Sequence, residues 1–279
     1  MGRMNIRIGH SPDPDDAFLF YGLTHGKIPL QGMTMTHCME GIEELNQRVL
    51  KESLEMTAIS LHAYPYCADR YLLLTAGASV GEGYGPLIVS KEPLMVEQLR
   101  KVRVAVPGRL TTASLLLRLA VGKVETEILP FDRILPAVQE GKVPAGLLIH
   151  EGQMTYAQAG LKKVLDLGEW WKGKTQLPVP LGVNVVRRDL GPALVRQLAA
   201  AFKASLDYAF AHRDEALAYA QQYGRGLSAS LTDRFVGMYV NRWSVDCRPD
   251  GATAMQRLLD WAADEGLTPR RVSLEFVEI

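Results

Sequence analysis

The chain has no excess of either charge: 31 lysines and arginines balance 31 aspartates and glutamates. Domains that hold nucleic acid ordinarily carry a basic excess, so the balance argues against that class and points to a small-molecule partner. Cysteine is scarce. Cys38, Cys67 and Cys247 are odd in number, far apart and outside any CxxC or zinc spacing, which fits structural thiols in a reducing compartment. Long apolar runs are missing too, since none approaches the roughly 18 residues of a membrane span. The opening Met1–Ser11 passes into a strand-like segment without signal-peptide character, so a cytoplasmic location free of the membrane is expected. No internal repeat, low-complexity segment, Walker motif or GxSxG elbow occurs. Gly81-Glu82-Gly83-Tyr84-Gly85 imitates a dinucleotide loop, but strand-like Pro86–Ser90 follows where a helix is required. That segment reads as a flexible turn or hinge.

What remains is ordinary globular material, 47% apolar and 22% charged over 279 residues, enough for one large domain or two small ones. Strand-like and helix-like segments alternate through the first 150 residues. Strands are expected at Asn5–Gly9, Met33–Cys38, Met56–Ser60, Val102–Val106, Val124–Leu129 and Ala145–Ile149. Helices are expected at Ala17–His25, Glu40–Lys51, Thr112–Val121 and Arg133–Glu140. Such alternation predicts mixed, mostly parallel sheets flanked by helices. From residue 190 the pattern turns helical. Asp189 with Pro192 reads as a cap, and Leu194, Leu198, Phe202 and Leu206 as one buried face. Ser230 with Asp233 reads as a capping box, Asp250 as a cap, and Gly266 as a stop after an inward face of Met255, Leu258, Leu259 and Ala262. Val272–Phe276 alternates like a strand. Val80–Gly85 and Leu177–Gly182 are the expected crossings between two lobes. They divide the chain into a discontinuous lobe of residues 1–90 and 183–279 and an inserted lobe of 91–182, leaving a cleft that opens by a hinge.

Three segments carry candidate chemistry. In Val102–Ala113 a strand ends, Pro107-Gly108 permits a close approach, and Thr111 and Thr112 open a helix. A helix start offers unpaired N–H groups to a carboxylate or phosphate, although a threonine there is equally a plain cap. Ser11-Pro12-Asp13-Pro14-Asp15-Asp16 follows the first strand, where ligands of α/β sheets collect. One aspartate is expected to cap the helix, and no histidine or second acidic cluster has a spacing that supports a metal. His150 ends the apolar strand Ala145–Ile149 and is placed for proton transfer near neutral pH, against the alternative of a histidine satisfied by a carbonyl. His10 ranks second, while His25, His37, His62 and His212 read as structural or exposed. Ser60 is a substrate contact or a turn residue, and Trp170 and Trp171 wall a cleft or fill a core.

Five segments in this order resemble the 1,4-dihydroxy-6-naphthoate synthase family of the futalosine route to menaquinone. They are SPDPDDAFLFYGLTHG (Ser11–Gly26), VGEGYGPLIV (Val80–Val89), VAVPGRLTTASLLL (Val104–Leu117), FDRILPAVQEGKVPAGLLIHE (Phe131–Glu151) and DLGEWW…LPVPLG (Asp166–Gly182). The resemblance implies a two-lobed type II periplasmic-binding-protein-like fold used as an enzyme. It implies conversion of cyclic dehypoxanthinyl futalosine to 1,4-dihydroxy-6-naphthoate and dihydroxyacetone, with a small carboxylate as substrate and no cofactor or metal. The family's proton acceptor matches His150. Its substrate contacts match Ala58, Ile59 and Ser60 and Thr111, Thr112 and Ala113. Ala58 stands where some relatives carry lysine, so a charge is absent there. The family's opening loop varies between SPCPND-like and SPDADD-like forms, which assigns Ser11 and Asp16 to the site ahead of Asp13. Two rivals stand beside this reading: the sister chorismate dehydratase, which lacks the SPDPDD-type opening, and a non-enzymatic receptor for a small acid. Nothing in the patterning specifies an oligomeric state.

Overall fold

The computed structural model describes residues 4–278. Its first part runs β1 (Met4–His10), α1 (Pro14–Thr24), β2 (Met33–Met39), α2 (Ile42–Leu50), β3 (Met56–Ser60), β4 (Tyr71–Leu73) and β5 (Ser79–Gly81). A second group follows: β6 (Leu87–Ser90), β7 (Arg103–Val106), α3 (Thr112–Val121), β8 (Glu125–Ile128), α4 (Phe131–Gln139), β9 (Ala145–Leu148), α5 (Gly152–Thr155), β10 (Lys162–Asp166) and α6 (Leu167–Thr175). The chain closes with β11 (Val179–Arg187), α7 (Pro192–Ala211), α8 (Arg213–Ala220), α9 (Ala229–Tyr239), α10 (Arg242–Val245) and α11 (Asp250–Asp264).

The strands form two sheets, ordered β2-β1-β3-β11-β4 with β5 beside β11, and β10-β6-β9-β7-β8. Parallel pairs arise where a helix returns the chain to the same edge, as β1 with β2 and β3, and β7 with β8 and β9. Antiparallel pairs involve β6, β10 and β11, the strands next to the crossings. Both sheets are therefore mixed. The sheets part company between Gly81 and Leu87 and again between Asp166 and Val179. Leu87–Ser90, which the sequence boundary puts with the first lobe, thus bonds in the second sheet, and Val179–Gly182 bonds in the first. Among the described residues no helix is long and apolar enough to cross a membrane.

Helix α1 is buried on nearly every side, from Ala17 to Leu23, so it reads as a core helix rather than an amphipathic one. Gly22 lets α7 approach: a Cβ there would lie 2.9 Å from Ser205 Cα. Ser205 Oγ accepts from Leu23 N and donates to the Leu19 carbonyl across that contact. The glycines of the first crossing serve packing as well. A Cβ on Gly85 would meet Gly168 N at 2.9 Å, and the Tyr84 hydroxyl donates to the Met238 carbonyl, so this turn is clamped on two sides.

Several end-of-helix expectations change. Ser228, not Ser230, caps α9 by accepting from Leu231 N, and Asp233 instead pairs with Arg213. Gly191 occupies the cap position of α7, while Asp189 bonds Arg187 in the preceding turn. Asp250 is the first residue of α11, after Pro249. On α7 the buried stripe is Val195, Leu198, Phe202 and Leu206, with Leu194 only half-buried. A strict four-residue step drifts by about 40° per repeat, which carries its first member off the face. Val272–Phe276 contributes a single bridge, Phe276 to Leu73, rather than a strand. Trp171 fills the core with its indole N–H on the Pro178 carbonyl, and Trp170 packs on Trp261; neither walls the cleft.

Candidate active site

A cleft of about 680 Å³, counted to its open mouth, lies between the two sheets. It collects every residue that the family resemblance assigned to the site: Ser11, Asp16, Ala58, Ile59, Ser60, Thr111, Thr112, Ala113 and His150 all line it, whereas His10 does not. They sit at the carboxyl ends of β1, β3, β7 and β9 or on the turns and helix starts that follow, the strand ends where such sheets place ligands.

The turn after β1 is organised by Asp13. It is the N-cap of α1, accepting from Asp16 N, and Pro14 takes the first helical position, which needs no N–H. Asp13 also accepts the Ser11 hydroxyl, and its Oδ2 lies 3.0 Å from His150 Nδ1. Burial alone would raise the Asp13 pKa, but His150, Asp15 and Ser11 outweigh it and hold the carboxyl below its ordinary value. Asp16 Oδ2 accepts Ser11 N–H at 2.9 Å and lies 2.8 Å from the Ser11 hydroxyl, whose one proton it shares with Asp13. Burial, then the charge of Asp13, pushes Asp16 up to about 7. His10, one residue earlier, packs between Phe20 and His37, with Nδ1 on the Ser11 carbonyl. Burial and the neighbouring His37 lower it to about 4, so it supports the turn as a neutral ring.

His150 stands at φ +54°, a left-handed backbone that a non-glycine residue adopts at a cost of roughly 1–3 kcal/mol. With Nδ1 on Asp13, the ring meets Phe131 edge-on at 4.7 Å, and Nε2 has no protein partner. Strain held this way at a cleft wall is characteristic of functional positions.

The turn after β7 is built differently. Thr111 caps α3, its hydroxyl accepting from Ser114 N, and Thr112 gives its hydroxyl to the Leu181 carbonyl at 2.6 Å. The hydroxyls are thus used by the protein itself. The N–H groups of Thr112 and Ala113, in the first turn, are the ones left for a ligand. Gly108 admits Glu43 rather than a ligand: Glu43 accepts Leu110 N at 3.0 Å, and a Cβ on Gly108 would lie 2.3 Å from that carboxylate. His62, behind this turn, is buried and bonded to the Thr111 carbonyl.

On the β3 side, Asn46 fixes Ser60 twice. Its Oδ1 accepts Ser60 N at 2.9 Å and its Nδ2 donates to Ser60 Oγ at 3.1 Å, leaving the serine proton free to donate. Asn184 donates from Nδ2 to the Gly77 carbonyl, which leaves Oδ1 without a partner although the residue is 1% exposed. Across the cleft the Tyr239 hydroxyl bonds Gln153 at 2.8 Å, and Arg225 joins Glu151 to the Pro12 carbonyl.

Asp13, Asp15, Asn46, Asn184 and Tyr239 were not singled out as site residues from the sequence. A buried polar residue is legible for two of them: Asn46 sits between apolar Leu45 and Val49, and Asn184 interrupts Val183–Val186. No ligand spacing for a metal is visible in the sequence, yet the fold brings Asp13, Asp15 and His150 within 4.8 Å of one another. Of seven buried polar side-chain atoms without a partner among the described residues, three line this one cleft: Asp15 Oδ1, His150 Nε2 and Asn184 Oδ1. Orphaned buried groups are rare in native proteins, and their convergence marks a place completed by a ligand.

A family described as Menaquinone biosynthesis matches residues 6–264. The chain is 44% identical over 263 residues to a Thermus thermophilus protein named 1,4-dihydroxy-6-naphthoate synthase, covering 94% of this chain and 95% of that one. Among solved structures it is similar to an Archaeoglobus fulgidus protein, with a TM-score of 0.90, 47% identity and coverage of 94% and 98%. The alkanesulfonate-binding protein of Xanthomonas axonopodis matches at a TM-score of 0.71 with 16% identity, covering 98% and 97%, which identifies the fold as periplasmic-binding-protein-like.

Proposed function

From its place in the menaquinone-biosynthesis family, to which this chain belongs, we propose that it is a 1,4-dihydroxy-6-naphthoate synthase. Its reaction is then carbon–carbon cleavage of cyclic dehypoxanthinyl futalosine, giving 1,4-dihydroxy-6-naphthoate and dihydroxyacetone. The observation that carries this reading is the Asp13–His150 pair, with Nδ1 on the carboxylate and Nε2 unpartnered at the cleft wall. A histidine whose Nδ1–H is held by a buried carboxylate presents Nε2 as a base, and the carboxylate stabilises the imidazolium that forms.

The steps follow from the residues. The first-turn N–H groups of α3 hold the substrate carboxylate, favoured by the positive end of the helix. The Ser60 hydroxyl and Asn184 Oδ1 offer one donor and one acceptor to the polar edge of the bicyclic portion. His150 Nε2 takes a proton from a hydroxyl of the sugar-derived part, and the bond between that part and the ring system breaks in the retro-aldol sense. The electron pair passes into the ring system, where aromatisation supplies the driving force, and closure of the lobes keeps water from the intermediate.

Incubation of the purified protein with cyclic dehypoxanthinyl futalosine, followed by mass spectrometry, tests this. Naphthoate and dihydroxyacetone in equal amounts are expected. Saturable binding with the ligand recovered unchanged would make the protein a receptor, and turnover of chorismate instead would make it the sister dehydratase.

A further inference from the structure

We propose that Asp15 is held as the neutral carboxylic acid and donates a hydrogen bond to the substrate oxygen on which negative charge develops, in the same cleft as His150. The inference rests on the lyase reading and adds the electrophilic partner that reading lacks.

Three carboxyl groups share this turn, and their surroundings differ sharply. Asp13 has the Asp16 N–H, the Ser11 hydroxyl and His150. Asp16 has the Ser11 N–H and shares the single Ser11 hydroxyl proton with Asp13. Asp15 is 8% exposed, lines the cleft, and its Oδ1 has no donor among the described residues. The guanidinium bonded to this turn, Arg225, goes to the Pro12 carbonyl and to Glu151 rather than to Asp15. A buried carboxylate with neither donors nor a cation is strongly disfavoured, and two adjacent carboxylates do not both ionise. Asp13 is the one equipped to be the anion, so the proton belongs to Asp15. Burial first, then the charges of Asp13 and Asp16, and a hydrogen bond in which the Asp15 proton faces Asp13, raise the Asp15 pKa well above the ordinary carboxylate range, so in the free cleft Asp13 is the acceptor that the substrate oxygen would replace.

The titratable groups around Asp15 are Asp13 and Asp16 on its own turn, His150 from the end of β9 and Tyr239 from α9. Tyr239 is raised by its burial and stays neutral. Giving the Asp15 proton away would create a second anion against Asp13. The acid therefore keeps its proton and acts by hydrogen bonding, as a neutral carboxylic acid in an oxyanion hole does.

The test compares Asp15→Asn with Asp15→Ala in the full-length enzyme across a pH series. The amide keeps a donor of the same shape with no proton to lose. It should cost about tenfold in kcat/KM, and the loss of activity at high pH that the proposal predicts for the wild type should disappear. Alanine removes the donor and should cost about 10²–10³-fold. Asp16, which titrates at about 7, is separated by Asp16→Asn, which should retain the Asp15-dependent alkaline limb. An Asp15→Asn enzyme as inactive as Asp15→Ala would overturn the proposal, since Asp15 would then have to ionise or transfer its proton. Activity abolished by chelation and restored by Mn²⁺ would also overturn it, making the cluster a cation site. Infrared spectroscopy at a pH above the Asp16 value of about 7 separates this inference from the lyase reading: the C=O stretch of a protonated carboxyl should be present in the wild type and lost in Asp15→Asn, whatever the protein turns over. Its absence from the wild type sinks the proposal even if naphthoate forms.

Discussion

Two strand-to-helix turns line the same cleft and treat the positive end of a helix in opposite ways. The turn after β1 fills it with the protein's own acids: Asp13 is the cap, and Asp15 and Asp16 occupy the first turn of α1. The turn after β7 uses a neutral cap, Thr111, and has no acidic residue in the first turn of α3. A helix start already holding a carboxylate has little left for a ligand's, whereas a start capped by a hydroxyl keeps both its dipole and its free N–H groups. The contrast divides the labour. The second turn binds the substrate acid, and the first positions a base and a neutral donor where the chemistry occurs.

Asp13→Asn should break the first turn's chemistry with the largest effect. Asparagine still caps a helix well, so α1 should persist. It no longer stabilises the imidazolium or fixes the tautomer, and kcat should fall about 10²–10³-fold with KM nearly constant. A raised KM with kcat unchanged would assign Asp13 to substrate binding instead.

The opposite turn is broken by Thr112→Pro. Proline is accommodated at a first helical position, and Thr111 at φ −69°, ψ 143° already has the extended backbone that precedes a proline. The variant deletes one N–H aimed at the ligand. KM should rise about tenfold to a hundredfold, the value of a charged hydrogen bond, with kcat little changed. Thr112→Val, which removes only the hydroxyl bonded to Leu181, is the control and should move KM far less.

Asn46→Ala sharpens the picture at a smaller scale. Ser60 loses both its anchors, and KM should rise several-fold, about 1 kcal/mol for each neutral hydrogen bond, while the pH profile stays put.

A further effect is on stability rather than on rate. Asp16 binds its proton more tightly in the folded state, at about 7 against an ordinary 3.8, so folding strength should decline as pH rises through that window. Asp13 is shifted the other way and contributes stability above its ordinary pKa that is lost in acid as its folded value is passed. Thermal melting at pH 5 and pH 8 should show the first trend, and Asp16→Asn should flatten it.

The same contrast explains what could be read from the sequence. Alternating strand and helix patterns located both turns, because hydrophobic periodicity is local information. Thr111 and Thr112 were legible as a helix start, and His150 as a histidine at a strand end. What was not legible is contact across the chain. Asp13 and His150 are separated by most of two lobes, and no spacing announces that they meet at 3.0 Å. The resemblance put Asp16 ahead of Asp13, and it is Asp13 that holds the histidine. Caps failed for a related reason: Ser228 and Ser230 are both plausible N-caps, and only the backbone of Ser228, at φ −66° and ψ 160°, decides between them.

The most direct test of the whole account is the steady-state kinetics of His150→Asn with cyclic dehypoxanthinyl futalosine. The account predicts a fall in kcat of about 10³-fold or more with KM within about threefold, because binding belongs to α3 and the β3 edge. Turnover at the wild-type rate would contradict it, and the base would have to be sought elsewhere in the cleft.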